Sequence, residues 1–198
     1  MKEKNIKIML IPIIIIALLT SLDQFTKFII KSKFMLYESK EVIKNVFAIT
    51  YIQNKGAAWG VMQGKRIFFL ILTVFVILGC FWILYNIIGN HKYIMLTVCV
   101  IFLISGAVGN MIDRFKLGYV VDFFDFKLID FPVFNVADIY VTVSMFLILF
   151  LMIFKYKEED FDEIIGKKSN IESDIKAFMD EEDNETMDDG ISDDSDKD

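Results

Sequence analysis

The chain has 198 residues, 55% of them apolar, with 20 Phe against 2 Pro and a formal net charge of −6. That apolar fraction exceeds what a soluble domain carries, so a soluble class is excluded and a membrane protein is expected. The net charge hides two unlike parts: from Glu158 onward 18 acids face 4 bases, whereas residues 1–157 hold 17 bases against 9 acids. A basic membrane domain (1–157) is followed by an acidic tail (158–198).

Four apolar runs, roughly 8–30, 67–88, 93–112 and 137–154, are each long enough, at about 1.5 Å per residue, to cross a hydrocarbon core of about 30 Å. The first follows Lys2, Lys4 and Lys7 as a signal peptide would, but its apolar stretch is too long and no A-x-A-like cleavage site follows, which makes it an uncleaved anchor. Late in this run Asp23 and Lys27 of DQFTK stand at i, i+4 and share a helix face. Their pairing either lowers the insertion cost of both groups or orients a loop or substrate.

The connection 31–66 is the longest of the membrane domain. Its run Val46 to Gln53 (VFAITYIQ) is rich in β-branched and aromatic residues and predicts a strand. Asn54-Lys55-Gly56 supplies a turn signal, which together with the strand predicts a hairpin at the membrane surface. In NKGAAWG, Asn54, Gly56 and Gly60 allow unusual backbone angles, and Ala57 and Ala58 let another chain approach closely.

The turn Gly89 to Lys92 is short, so the second and third helices are antiparallel neighbours. Cys80 and Cys99 fall inside predicted helices and read as small apolar fillers, and their spacing matches no metal signature. No metal site is expected. In SGAVGNMIDR the small Gly106, Ala107 and Gly109 permit close packing, while Asn110 and Asp113 face the same way at i, i+3. Arg114 either neutralises Asp113 or marks the membrane interface. In the third connection, about 113–136, lies Asp122 of VVDFF, with Asp125 reading as dispensable. FNVAD then opens the last helix, Asn135 as its cap and Asp138 complementing its dipole. Beyond Tyr156 the composition changes, and from Asp180 the text DEEDNETMDDGISDDSDKD cannot bury enough apolar surface to offset its ordering entropy. The tail is expected to be a disordered, solvated coil.

Ionised carboxylates are the costliest groups to place near hydrocarbon, so those near or within the runs need a purpose. Asp122 and Asp138 flank a segment too short to cross the bilayer. Both therefore lie at one membrane face, close enough to share a proton as a two-carboxylate hydrolytic site does, and point to an intramembrane aspartic protease. The only histidine, His91, lies in the turn at the opposite face, which excludes Ser/His/Asp and Cys/His schemes. The competing class is a small transporter or channel component using carboxylates as a proton or cation path. A path needs polar groups through the membrane depth, yet Arg66 to Asn86 offers no charge between its ends.

Together the motifs DQFTK, NKGAAWG, GAVGNMIDR, VVDF and FNVAD, over about residues 8–154, resemble one family: the bacterial lipoprotein signal peptidase, or signal peptidase II. The resemblance implies an all-α membrane fold, with four transmembrane helices and a small extracytoplasmic β element, and an aspartic endopeptidase with Asp122 and Asp138 as the catalytic dyad. It also implies that Asp23, Lys27, Asn54, Gly56, Asn110, Asp113, Arg114, Asn135 and Ala137 bind substrate or support the site. The implied substrate is a prolipoprotein whose lipobox cysteine carries diacylglycerol, cut just before that cysteine. No cofactor or nucleic-acid partner is expected, and the enzyme would be a monomer in contact with membrane lipid. Charge counting does not give orientation: ten Lys/Arg in segments 31–66 and 113–136 face six at the other end, against the positive-inside tendency. Both termini cytoplasmic, with the site near the extracytoplasmic face of the bacterial inner membrane, follows from the resemblance. Trp59 and Ser105 depart from the family pattern, and the acidic tail is an addition to it.

Overall fold

The computed structural model describes residues 2–56 and 64–167. The chain runs α1 (Lys2–Lys33), β1 (Ser39–Ile43), β2 (Phe47–Asn54), α2 (Arg66–Ile87), α3 (Ile94–Leu117), β3 (Val120–Asp125), α4 (Val136–Phe154) and α5 (Glu158–Ile164), with 3₁₀ turns at His91–Tyr93 and Lys127–Ile129. Four helices are long and apolar enough to span a membrane. The expected fold, four spanning helices with a small β element, is the one observed.

α3 is the central helix. Half of its span is buried, against 11% for α2 and 22% each for α1 and α4. It lies against α1, α2 and α4, and its small residues explain how. A methyl group at Gly106 would strike the carbonyl oxygen of Ala137 and come within 2.8 Å of Val141 Cγ2. A methyl group at Gly109 would come within 2.5 Å of the Asp23 carboxylate and 3.3 Å of Ala137 Cβ. The absent side chains let α1 and α4 approach the α3 backbone, the packing mode of helices in lipid. Ser105 fits the same seam: it is fully buried, its hydroxyl donates to Ile101 O at 2.7 Å, and its carbonyl accepts from Thr20 at 3.3 Å. Cys80 and Cys99 are buried in the main apolar cluster with Leu84, Leu96 and Ile104.

The expected end of the third helix, near residue 112, is five residues early. α3 runs to Leu117 and stops where Gly118 takes a left-handed conformation with φ +85°, so Asp113 lies inside the helix. The β element also differs from expectation. The strand predicted at Val46 to Gln53 is β2, but its hairpin turn precedes it: Asn45 sits at φ +58° and Val46 N donates to Ile43 O at 3.0 Å. β1, with the sequence SKEVI, is exposed along its whole length and carries no alternating apolar pattern to announce it. Asn54, assigned to the hairpin turn, is instead the last residue of β2, opposite Val120. The chain does turn there, through Gly56 N donating to Asn54 Oδ1 at 2.9 Å, but no hairpin closes on it among the described residues. Ala57, Ala58, Trp59 and Gly60 lie outside them.

β3 completes an antiparallel sheet in the order β1-β2-β3. It packs Val121 and Phe123 with Tyr51 and Ile30 into a second apolar cluster at the ends of α1 and α3. Beyond the strand, Phe134 bridges Phe124, which returns the chain to β3 just before α4 begins. Asp125 is less dispensable than its sequence suggests: it accepts from Thr50 Oγ1 at 2.6 Å and ties β3 to β2.

The tail does not begin as a coil. Glu158–Ile164 forms α5, docked against α2 and the α2–α3 turn. Trp82 Nε1 donates to Ile165 O at 2.9 Å, and Asn86 Nδ2 to Ile164 O at 3.2 Å. The Tyr93 hydroxyl reaches Glu163 at 2.6 Å and Asp160 at 3.1 Å, and Asp160 pairs with Lys92. Acids with upstream partners fold where composition alone predicts a coil. Residues 168–198, for which the coil was also expected, lie outside the described residues.

Candidate active site

Two layers of polar side chains occupy the end of the bundle nearest the sheet. The inner layer is an ion cluster between α1 and α3. Lys27 Nζ lies 2.9 Å from Asp23 Oδ2 and 3.2 Å from Asp113 Oδ2, with Asp23 wholly buried and Lys27 2% exposed. Buried charge at this depth is tolerable only when paired and fully hydrogen-bonded, and the remaining oxygens do find donors. Asp23 Oδ1 accepts from Ala137 N at 3.0 Å, Asp113 Oδ2 from Val121 N at 3.1 Å, and Gln24 Nε2 donates to Asp23, Asp113 and Gly109 O. The Asp23–Lys27 pair is therefore more than a self-neutralising couple on one helix. It binds α1 to α3, to β3 through Val121 and to the start of α4 through Ala137.

The outer layer holds Asp122 and Asp138. Asp122, in β3, is 2% exposed and accepts from Asn54 Nδ2 at 2.9 Å and Asn135 Nδ2 at 2.6 Å. Burial, then the neighbouring Asp138 charge, pushes its carboxyl above the usual carboxylate range, against the opposing hydrogen bonds from Asn54 and Asn135. Asp138, in the first turn of α4, accepts from Asn110 Nδ2 at 2.7 Å and from Asn135 N at 3.0 Å, while Asn135 Oδ1 accepts from Asp138 N at 3.0 Å. This reciprocal pair is a capping box, so the predicted capping role of Asn135 holds. Asn135 thus serves both carboxylates, one through its side chain and one through its backbone.

The layers meet at Asn110, whose Oδ1 accepts from Lys27 Nζ at 2.9 Å and from Asn135 Nδ2 at 3.2 Å. Both carboxylates open onto one cavity of about 210 Å³, lined also by Asn54, Gly56, Arg114 and Thr142. Arg114 reaches toward Gly56 O at 3.3 Å and stacks over the Phe69 ring at 5.0 Å. It is Lys27, not Arg114, that is ion-paired with Asp113.

The residues that the resemblance assigns to the site lie in this assembly: Asp122, Asp138, Asn54, Gly56, Arg114 and Asn135 around the cavity, and Asp23, Lys27, Asn110, Asp113 and Ala137 in the hydrogen-bonded network joined to it. His91 is at the other end of α3. Sequence reasoning passed over Gln24, although it stands inside DQFTK: the i, i+4 rule selects Asp23 and Lys27 and skips the three residues between them. Thr142, one turn beyond Asp138 on α4, was also missed.

Four helices long and apolar enough to span a membrane, with a small sheet and a carboxylate pair at one end of the bundle, define a multi-pass membrane protein. The profile of the signal peptidase (SPase) II family matches residues 15–154. A lipoprotein signal peptidase of Caldanaerobacter subterraneus subsp. tengcongensis is 43% identical over 144 residues, covering 72% of this chain and 96% of its own. That of Streptococcus thermophilus (strain CNRZ 1066) is 42% identical over 151 residues, covering 76% and 94%. A bacterial membrane enzyme solved by the in meso method at 2.3 Å resolution superposes with a TM-score of 0.67 at 35% identity, covering 74% of this chain and 92% of its own. The chain belongs to the signal peptidase II family and is a membrane peptidase.

Proposed function

We propose that this protein is an aspartic endopeptidase that removes signal peptides from prolipoproteins, cutting before a lipobox cysteine that already carries diacylglycerol. The observation that carries this reading is the pair Asp122 and Asp138, the first buried and the second partly buried, on separate elements, opening onto one cavity and joined through Asn135. Two neighbouring carboxylates in a desolvated site hold one proton between them, and their titration belongs to the pair.

One carboxylate is ionised and takes a proton from water as the water oxygen attacks the scissile carbonyl carbon. The protonated partner donates a hydrogen bond to the carbonyl oxygen and stabilises its developing charge. Collapse of the tetrahedral intermediate breaks the C–N bond, and the proton first taken from water passes to the departing cysteine nitrogen. The dyad ends with one proton, as it began, and no cofactor enters the cycle.

Asn54, Asn110 and Asn135 hold the carboxylates in place, and Asp23, Lys27 and Asp113 hold the elements that carry them. Arg114 and Gly56 border the cavity where the peptide backbone would lie. Lipid on the substrate converts membrane affinity into positioning at the dyad. Both termini face the cytoplasm, the site faces outward, and the enzyme acts as a monomer. Purified protein incubated with a diacylglyceryl lipobox peptide should release the signal peptide. Asp122→Asn and Asp138→Asn, inserted at matched abundance, should not, and near-normal turnover by either variant refutes the dyad.

A further inference from the structure

An apolar groove of about 450 Å³ runs between α2 and α3, outside the polar layers, with Leu70, Ile71, Val74 and Phe75 on one wall and Met111, Ile112 and Phe115 on the other. The first residue of α2, Arg66, and Phe75 are nine residues apart, about 13 Å along a helix, close to the depth of one hydrocarbon leaflet. The groove occupies the Leu70 to Phe75 part of this distance, about 8 Å along the helix, and so matches a segment of an acyl chain whose headgroup lies level with Arg66.

The mouth of the groove is cationic. Lys116 lines it. Arg66 is held at its rim by a hydrogen bond to Phe115 O at 2.6 Å, and Lys65 immediately precedes α2. None of the three forms an ion pair within the protein among the described residues, and all three are exposed. The sequence of residues 57–63, AAWGVMQ, contains no acid. Asp113, the acid nearest in sequence to Lys116, is already paired with Lys27. The excess of Lys and Arg at this end of the bundle therefore lacks an internal counterion here, which is an arrangement for an external anion at headgroup depth.

We propose that the α2–α3 groove is a binding site for an anionic phospholipid, one acyl chain lying along Ile71, Phe75 and Ile112 and the phosphate contacting Arg66 and Lys116. The site is separate from the cavity of Asp122 and Asp138, whose lining shares no residue with it. It does not depend on the cleavage reaction proposed above.

The test uses full-length protein purified in neutral detergent and native mass spectrometry with phosphatidylglycerol and phosphatidylcholine of identical chains. Phosphatidylglycerol should be retained about tenfold more than phosphatidylcholine, as two cations at a headgroup support, and should raise the thermal midpoint. Lys116→Gln should remove most of that preference, and Ile71→Trp, which fills the groove, should lower retention of the bound lipid while the lipid-free thermal midpoint stays put. A double variant, Lys65→Gln with Lys116→Gln, leaves the Arg66 hydrogen bond to Phe115 O in place and should lower the preference further than Lys116→Gln alone. Equal retention of the two lipids overturns the proposal, as does a preference untouched by both Lys116→Gln and Ile71→Trp. Displacement of the bound phosphatidylglycerol by diacylglyceryl precursor also overturns it, because the groove would then belong to the substrate.

Discussion

Asn135 donates its side-chain amide to Asp122 at 2.6 Å while its backbone N–H donates to Asp138 at 3.0 Å. One residue at the start of α4 therefore sets the position of a carboxylate on the sheet relative to a carboxylate on a helix. Asn135→Ala should cost about 1 kcal/mol of stability through the lost cap. Turnover should fall further, by on the order of 10²-fold, because the two acids would no longer be held in register. Steady-state kinetics on lipidated precursor check this, with kcat expected to fall and KM nearly constant. A loss confined to stability would mean that the cap is all Asn135 provides.

Lys27 is the only ammonium in contact with the buried carboxylates of Asp23 and Asp113 among the described residues. Lys27→Met should destabilise the protein by about 3–5 kcal/mol, the cost of stranding buried charge. Adding Asp23→Asn and Asp113→Asn should recover part of that loss, since no charge would then remain uncompensated. Thermal midpoints in detergent for the single and triple variants decide the matter, and a triple variant less stable than Lys27→Met contradicts it.

The raised affinity of Asp122 for its proton has a signed consequence. Across the interval from the ordinary carboxylate range up to the raised folded value, the folded state binds more protons than the unfolded state. This group's contribution to stability is then most favourable at low pH and declines as pH rises through that interval. Asp122→Asn removes the dependence. Relative to the parent, the variant should gain in thermal midpoint between pH 5 and pH 8, whatever fixed offset the amide introduces. Parallel profiles across that range would refute the prediction.

Gly106→Ala drives a methyl group into the backbone of Ala137, which cannot swing aside as a side chain could. A loss of about 1–3 kcal/mol is expected from overpacking, with activity falling as well because Ala137 precedes Asp138. Gly79 in α2 has nothing within 4 Å of the position a methyl group would take, so Gly79→Ala should be neutral or slightly stabilising. Thermal midpoints and turnover of the two variants, measured together, check the contrast.

A stop after Lys157 removes α5 and with it the partners of Trp82, Asn86, Lys92 and Tyr93. The buried Tyr93 hydroxyl would lose both acceptors, a cost of about 1–3 kcal/mol. Catalysis by the inserted protein should persist, because α5 sits at the far end of α3 from Asp122. Thermal midpoint should fall while kcat on lipidated precursor holds. A stop after Gly166 or Lys167, which keeps α5, should leave both unchanged.

The parts of the fold that were legible in the sequence are those encoded by local spacing. Asp23 with Lys27, Asn110 with Asp113, and Asn135 with Asp138 each lie within four residues, so helical periodicity alone places them together. Contacts across elements carry no such signature. Asn54 meets Asp122 from 68 residues away, and nothing in VVDFFD announces that it will pair with β2. The hairpin turn was misplaced because β1 is polar and wholly exposed, so its strand character depends on the partner it finds. α5 was hidden for a related reason: its acids look like the start of a charged tail until Lys92 and Tyr93, more than 60 residues upstream, are brought beside them.

α2 is the least buried of the spanning helices, with 11% of its span inside the protein. Most of its side chains meet acyl tails, which accept any apolar shape and impose no jigsaw fit. Substitutions among Leu, Ile, Val and Phe along its outer face should therefore be nearly silent, while the same exchanges along α3 should be felt. The text of α2 is then a record of the bilayer the chain inhabits, whereas the text of α3 is a record of its chemistry. Two chains that share the reaction but live in membranes of different thickness should diverge first in the length and bulk of α2.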